Sequence, residues 1–432
     1  MVRFMLSFAM VAVMAAQASA GGVVCSIATL ETDAELDKAA AMIRAQGPEG
    51  LAALIRSYHE RKLSADDQEK FQRVMDQVAG QRGAYVSRLY WYTDFDEAKA
   101  TAAKSGKPIL SLRMLGKLTD EFSCANSRFF RTALYSNKEI SDYLRDNYVL
   151  HWQSVRPVPR VTVDFGDGRT LERTVTGNSA HYVLDWEGRL CEALPGLYAP
   201  EAFQEWLERS RELSLRLAGS DDNWRERLLV EHHAQRRNVI ESEIQKHLTE
   251  FSPELLNNPS AGSGIKIRPV AAEANRRSIS KAVFETSLLA HLLPSQDALA
   301  AQDNELWRKI AARRLEQSRL DEASEQVIRG ENPAAQQAGR REASKYPQED
   351  PLLRLLQNFE ETMALDTVKN EYLLHRQIHE WFVRRQAPAG LDEFNEKVYA
   401  ELFLTPSSDP WLGLAPKDVY SALDRGGVRL AN

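Results

Sequence analysis

Cysteine is scarce, with 3 in 432 residues: Cys25, Cys124 and Cys191. An odd count excludes a fully paired disulfide framework, and a chain this long does not need one to build a core. At least one thiol is free or paired with a partner, and a Cys25–Cys191 bridge stays open. Basic runs are also lacking. The formal net charge is −6, and no stretch has the density of Lys and Arg that tracks a phosphate backbone, so nucleic acid is not an expected partner. The fingerprints of common enzymes are missing too: no H-E-x-x-H, no G-x-S-x-G, no phosphate loop and no dinucleotide-binding glycine motif. The composition, 43% hydrophobic and 27% charged, is that of a soluble globular chain with room for two or three domains.

The first twenty residues stand apart. Arg3 gives a positive start, an apolar run spans Phe4 to Ala16, and Ala18-Ser19-Ala20 has the small-x-small form read by signal peptidase. This is a secretory signal peptide, too short for a stop-transfer span. A lipid anchor on Cys25 fits less well, because Val24 stands where such a site wants a small residue. No later stretch is apolar for long enough to cross a bilayer. The expectation is an exported protein, periplasmic or extracellular, cleaved near Ala20.

Periodicity divides the remainder. Residues 33–45, 48–62 and 66–81 form a helical lead-in (residues 21–85), with Phe71, Val74, Met75 and Val78 on an inner face. From Tyr90 the pattern is mixed. Asp94 caps an Ala-rich helix ending at Gly106, and Ile109 to Met114 is a strand. Ser123 caps a helix through Phe129, Phe130 and Leu134, a second helix follows Asn137, and Tyr148 to Gln153 is a strand. A hairpin turns at Gly166-Asp167-Gly168 and another around Trp186-Glu187-Gly188, before a helix at 200–217. From residue 218 nearly everything is helical: 223–250, 278–292, 297–328, 351–383 and 391–404. Two polar breaks interrupt these helices, and an ordered cap lies near 402–423.

The order helix, strand, Cys-led helix, strand, hairpin, helix over residues 90–212 resembles the thioredoxin-like superfamily. So does the phrase Ala98-Lys99 followed by Ser105-Gly106-Lys107-Pro108-Ile109-Leu110. The resemblance implies an α/β thioredoxin-like domain at 86–217, between mostly helical N- and C-terminal regions. In that superfamily a CxxC motif opens a helix. Cys124 falls on its first Cys and Ser127 on its second, giving a CxxS form. The loop before Cys124 is longer than the family's, Ser179-Ala180 stand where its cis-proline is usual, and a hairpin replaces a crossover helix. The helices after residue 217 lie outside the resemblance and inherit no activity from it.

Two groups of residues carry candidate chemistry. A thiol at the first turn of a helix is favoured as thiolate by unpaired N–H groups, and Arg128 and Arg131 follow one turn on. With Ser127 as partner, Cys124 could form mixed disulfides but no internal one. The rival is a buried Cys that simply packs. Glu371, His375 and His379 lie at i, i+4, i+8 on one helix and form a stripe that could offer metal ligands, with further ligands needed from elsewhere. His232 and His233 are adjacent on a helix and diverge, so no shared site is expected of them. No cofactor is expected.

Three functions follow, in this order. The first is a non-catalytic, partner-binding or structural thioredoxin-like protein with a degenerate motif. The second is a monothiol redox protein or thiol sensor acting through Cys124 on another exported protein. The third is a metal-dependent enzyme built on the C-terminal helices. The export reading has a direct check: a chain produced in a secreting bacterium should be recovered outside the cytoplasm with about its first twenty residues removed. A full-length mass in the exported fraction would refute it.

Overall fold

The computed structural model of the chain describes residues 22–175, 177–251, 297–333 and 351–412. The leader, the helix expected at 278–292 and the end of the C-terminal cap lie outside the described residues. Three helices open the structure: α1 (Asp33–Arg44), α2 (Pro48–Glu60) and α3 (Ala65–Ala79). Each start has a local cause. Thr32 accepts from the Glu35 amide while Glu35 reaches back to Thr32, Pro48 presets the first turn of α2, and Ser64 caps α3. Their apolar faces meet in one core of Leu51, Leu54, Phe71, Val74, Met75 and Val78, as the periodicity predicts. Arg44 ties this bundle to the sheet by donating to the carbonyl of Trp91 at 2.9 Å.

The middle of the chain alternates. β1 (Trp91–Tyr92) leads to α4 (Phe95–Ser105) and β2 (Ile109–Leu115). Then come α5 (Ala125–Phe129), a wide π turn at Phe130–Leu134, and α6 (Lys138–Asn147). β3 (Val149–Arg156), β4 (Arg160–Asp164), β5 (Thr170–Thr174), β6 (Ser179–Leu184), β7 (Leu190–Pro195) and α7 (Pro200–Leu217) follow. The five-stranded mixed sheet has the order β1-β3-β2-β6-β7, while β4 and β5 form a separate ribbon. β1 and β2 run parallel to β3, and β6 runs antiparallel to both β2 and β7. β2, at the centre, is buried at every position, which is why ILSLRML reads as a continuous apolar run rather than an alternation.

Asp94 caps α4, Gly106 ends it with φ 68°, and Asn137 caps α6, all as expected. One start differs: the residue flanking α5 is Cys124, not Ser123, and no side chain caps that helix. The reason is local. The hydroxyl of Ser123 accepts from Ser127 at 2.8 Å, and the Cys124 amide donates to the Leu115 carbonyl at 3.2 Å.

The C-terminal helices are α8 (Asp222–Phe251), α9 (Asp297–Ala312), α10 (Glu322–Glu331) and α11 (Pro351–Lys369). A π turn (Asn370–His375) joins α11 to α12 (Arg376–Val383), and α13 (Leu391–Lys397) runs into a third π turn at Val398–Leu402. These helices cover the β6–β7 side of the sheet. The apolar core runs on from Leu112, Tyr182 and Leu194 into Met363, Phe382, Phe394 and Tyr399. Polar ties fix the register: Thr367 accepts from the Ala199 amide at 2.7 Å, and Asn370 donates to the Leu197 carbonyl at 2.8 Å. Gly196, with φ +88°, lies so close that a Cβ there would stand 2.4 Å from Asn370 Nδ2. Among the described residues no helix is long and apolar enough to cross a membrane.

Two histidines are locked inside this core. The His151 ring meets the Ser111 hydroxyl at 2.8 Å, and the His181 ring meets the Tyr135 hydroxyl at 2.7 Å between Phe130 and Phe203. Burial holds both imidazoles down, to about 3. An unfolded histidine titrates near 6.5. Between those values the unfolded chain binds more protons than the native one. The stabilisation is therefore complete above about pH 6.5 and is lost as pH falls towards 3. Urea unfolding should show stability falling by up to roughly 1.4 kcal/mol per pH unit for each histidine below that point. His181→Gln should flatten part of that slope, and a slope unchanged in this variant would refute the assignment.

Candidate functional site

Two places concentrate chemically capable side chains. The first is Cys124. The Leu115 carbonyl holds the amide of Cys124, and its own carbonyl opens α5 by accepting from Arg128 N at 3.2 Å. The side chain is completely buried. Its sulfur lies 3.0 Å from Ser179 Oγ on β6 and 3.4 Å from Ser127 Oγ, which in turn donates to Ser123 Oγ and to the Cys124 carbonyl. The thiol is thus ringed by hydroxyls inside the core. Of the two arginines proposed to tune it, Arg131 faces the loop before Cys124. Arg131 is buried and donates to the carbonyls of Leu118 and Asp120, both at 2.8 Å, which pins the loop before Cys124. Burial pulls its guanidinium down to about 10, and both Arg128 and Arg131 sit within electrostatic range of Glu331 on α10.

The other cysteines do not approach this thiol as disulfide partners, since all three are free. Cys25 is exposed and bonds Arg61 at 2.9 Å. Cys191 is buried on β7, 3.6 Å from Arg225, and burial pushes its thiol up to about 12.

The second place is where β7 meets α8, α12 and the π turn before α12. Strand alternation turns Leu190, Glu192 and Leu194 to one side of β7. Glu192 is 2% exposed, and three imidazoles converge on it. His232 Nε2 is 3.4 Å and His233 Nδ1 3.8 Å from Oε2, and His375 Nε2 is 3.4 Å from Oε1. The Ala193 amide donates to Oε1 at 2.9 Å. Glu371 holds the far side of His375 through an Oε2–Nδ1 contact of 2.8 Å, and Arg236 stands 3.9 Å from Glu371. His379 completes the group, with its Nδ1 2.8 Å from that of His233.

Burial opposes every charge here, so the charges that persist must compensate one another. Burial drives the His233 and His379 rings neutral, His233 down to about 4. His375 goes the other way: against burial, Glu371 and Glu192 on its two nitrogens raise it to about 9. Glu371 is correspondingly held at about 2 against burial, with His375 as the main partner, and Glu192 well below the carboxylate range by the surrounding histidines. The neutral-pH arrangement is two carboxylates bracketing one imidazolium, with Arg236 as the second cation. A cleft of about 300 Å³ reaches this group from outside, with Glu371 and His375 in its wall beside Arg236, Arg314 and Tyr198.

The stripe of Glu371, His375 and His379 faces inward, and Glu371 meets His375 Nδ1 at 2.8 Å. His232 and His233, expected to diverge from any shared site, both reach Glu192, because a side chain lying between them is within range of either. Glu192 itself was not singled out. Its signal is an acidic residue inside the otherwise apolar strand LCEALP. Comparison of the chain with family models, curated proteins and solved structures finds no match.

Removing one member of a buried ion-paired group leaves the others uncompensated. Glu192→Ala should lower stability to urea by about 3–5 kcal/mol, far more than a surface Glu→Ala change. A loss below about 1 kcal/mol would show that the carboxylate is not the hub of the group.

Proposed function

We propose that residues 86–217 are a thioredoxin-like unit whose thiol centre is closed, and that the chain is an exported, non-catalytic protein that binds or scaffolds another exported protein. The mixed sheet supports the family reading. It has three parallel strands followed by an antiparallel pair, with a Cys-led helix after the central strand. The juxtaposition of Ser179 with Cys124 supports it too, since Ser179 stands at the position where the family's cis-proline faces its thiol.

The complete burial of Cys124 carries the non-catalytic reading. Thiol–disulfide exchange needs a substrate sulfur to approach the thiolate directly. The space such a substrate would need is filled by the chain's own C-terminal segment. Tyr399 donates to the Asn178 carbonyl at 2.9 Å, and Asn178 donates to Thr405 Oγ1 at 2.9 Å. Arg156 holds the same segment through the carbonyls of Pro406 and Asp409 at 3.2 and 2.9 Å. These ties lie next to Ser179, over the thiol.

The monothiol reading draws on one observation, the Ser179 hydroxyl 3.0 Å from the sulfur, which could donate to a thiolate. Alkylation mapped by peptide mass separates the two. Cys25, which is exposed, should be modified at the rate of a model thiol, whereas Cys124 should stay unmodified until the protein unfolds. A Cys124 that reacts in the native protein faster than a model thiol, with a pKa well below about 8.5, would sink the closed-centre reading.

A further inference from the structure

Glu192 from β7, His233 from α8 and His379 from α12 each point a Lewis base at one spot. One ligand atom from each lies within 4.8 Å of the others, and all three side chains are buried. We propose that these residues form a binding site for a divalent transition-metal ion of the zinc class, at the junction between the sheet and the C-terminal helices. The site does not depend on Cys124 or on the reading of residues 86–217.

The spacing suits the chemistry. Zinc takes imidazole nitrogen and carboxylate oxygen at about 2.0–2.2 Å, so ligand atoms of one ion lie roughly 3–4 Å apart. Of the observed contacts, the 3.8 Å from His233 Nδ1 to Glu192 Oε2 falls in that range, and the 2.8 Å between the two Nδ1 atoms is slightly shorter, so a small separation of the two rings would admit the ion. Two imidazoles and one carboxylate select a borderline ion over magnesium or calcium, which prefer all-oxygen shells.

The second observation concerns protons. His233 Nε2 is 3.2 Å from the Cys191 carbonyl. A carbonyl only accepts, so Nε2 carries the hydrogen and Nδ1 presents its lone pair to the cluster. A metal-bound histidine usually has this arrangement: one nitrogen is anchored by donation to a backbone carbonyl and the other is left to the ion. His379 presents the same atom: its Nδ1 lies 2.8 Å from His233 Nδ1, and without an ion it must hold the hydrogen that the pair shares, which it gives up when it binds the ion. Around the three ligands, His232 and His375 flank the Glu192 carboxylate and orient it, and Glu371 fixes His375 in turn. The cleft whose wall contains Glu371 and His375 ends at the residues that flank these ligands.

The test uses the full mature chain, stripped with a chelator and then given Zn²⁺ or Co²⁺ alone. About one equivalent of either ion should stay with the protein through gel filtration. The Co²⁺ form should show d–d absorption without thiolate charge-transfer bands, because Cys191 is not a ligand. Cys191→Ser should bind as the parent does, while His379→Asn and His233→Asn should each weaken binding by at least about tenfold. Folded wild-type protein that retains neither ion at 100-fold molar excess would overturn the proposal, whatever the variants do. Binding that survives in a folded His233→Asn/His379→Asn double variant would also overturn it.

Discussion

A carboxylate buried in a strand is the constraint on which the packing of this molecule depends. An ionised Glu192 inside an apolar wall would be prohibitive without compensation. None of its compensating groups comes from the sheet except its own neighbouring amide. His232 and His233 come from α8, and His375 comes from the π turn before α12. The carboxylate can be buried only when those helices are seated, and they can seat in only one register. Met363, Phe382 and Phe394 supply the apolar area, but apolar contact is tolerant of sliding. Directional contacts to Glu192, together with those of Thr367 and Asn370 to the strand-to-helix bend, are not. The helices after residue 217 thereby become part of the same core as the sheet.

The same seating closes the other end of β6. Once the helices dock, the chain from Leu391 to Leu412 runs back over β2 and β6. Arg113, buried in β2, pairs with Asp392 at 3.0 Å, and Tyr182 donates to Asn395 at 3.0 Å. The segment ends on Asn178 and Arg156, beside the thiol. Tyr399 of this segment comes within electrostatic range of Cys124, so the C-terminal region forms part of the thiol's surroundings, which the CANS sequence alone does not show. A Cys at a helix start is reactive when its sulfur meets solvent and positive charge. Here the sulfur meets Ser127 and Ser179, and Arg131 is committed to the loop carbonyls.

What was legible in the sequence follows from what is local. Capping residues, glycine stops, the hairpin at Gly166-Asp167-Gly168 and the apolar run of β2 depend on neighbours a few positions away, and the structure has them where the pattern places them. The mixed α/β character of residues 90–217 was legible for the same reason. The inward face of Glu371, His375 and His379 was visible as helical spacing. What the stripe faces was not visible, because Glu192 lies 183 positions from His375 and no periodicity links a strand residue to a helix so remote. His232 and His233 were misjudged by a rule that holds for a flat partner surface and fails when one side chain projects between them. The shift of the helix start from Ser123 to Cys124 turned on contacts that capping preference does not encode, the Leu115 carbonyl on the Cys124 amide and Ser127 on the Ser123 hydroxyl.

These two centres bear differently on where chemistry can occur. Cys124 is enclosed by apolar core and by the hydroxyls of Ser127 and Ser179, both fully buried. The Glu192 group is buried as deeply, yet a polar chain leaves it through His375 and Glu371 to Arg236 and the cleft. Burial at the thiol is closed packing. Burial at the carboxylate is low dielectric with an exit, the condition under which charge and lone pairs act most strongly on a small ion. The sequence draws attention to the cysteine because its motif is short and local. The structure shifts that attention to the strand and helices that meet at Glu192, where four elements must be folded before all of the bases are neighbours.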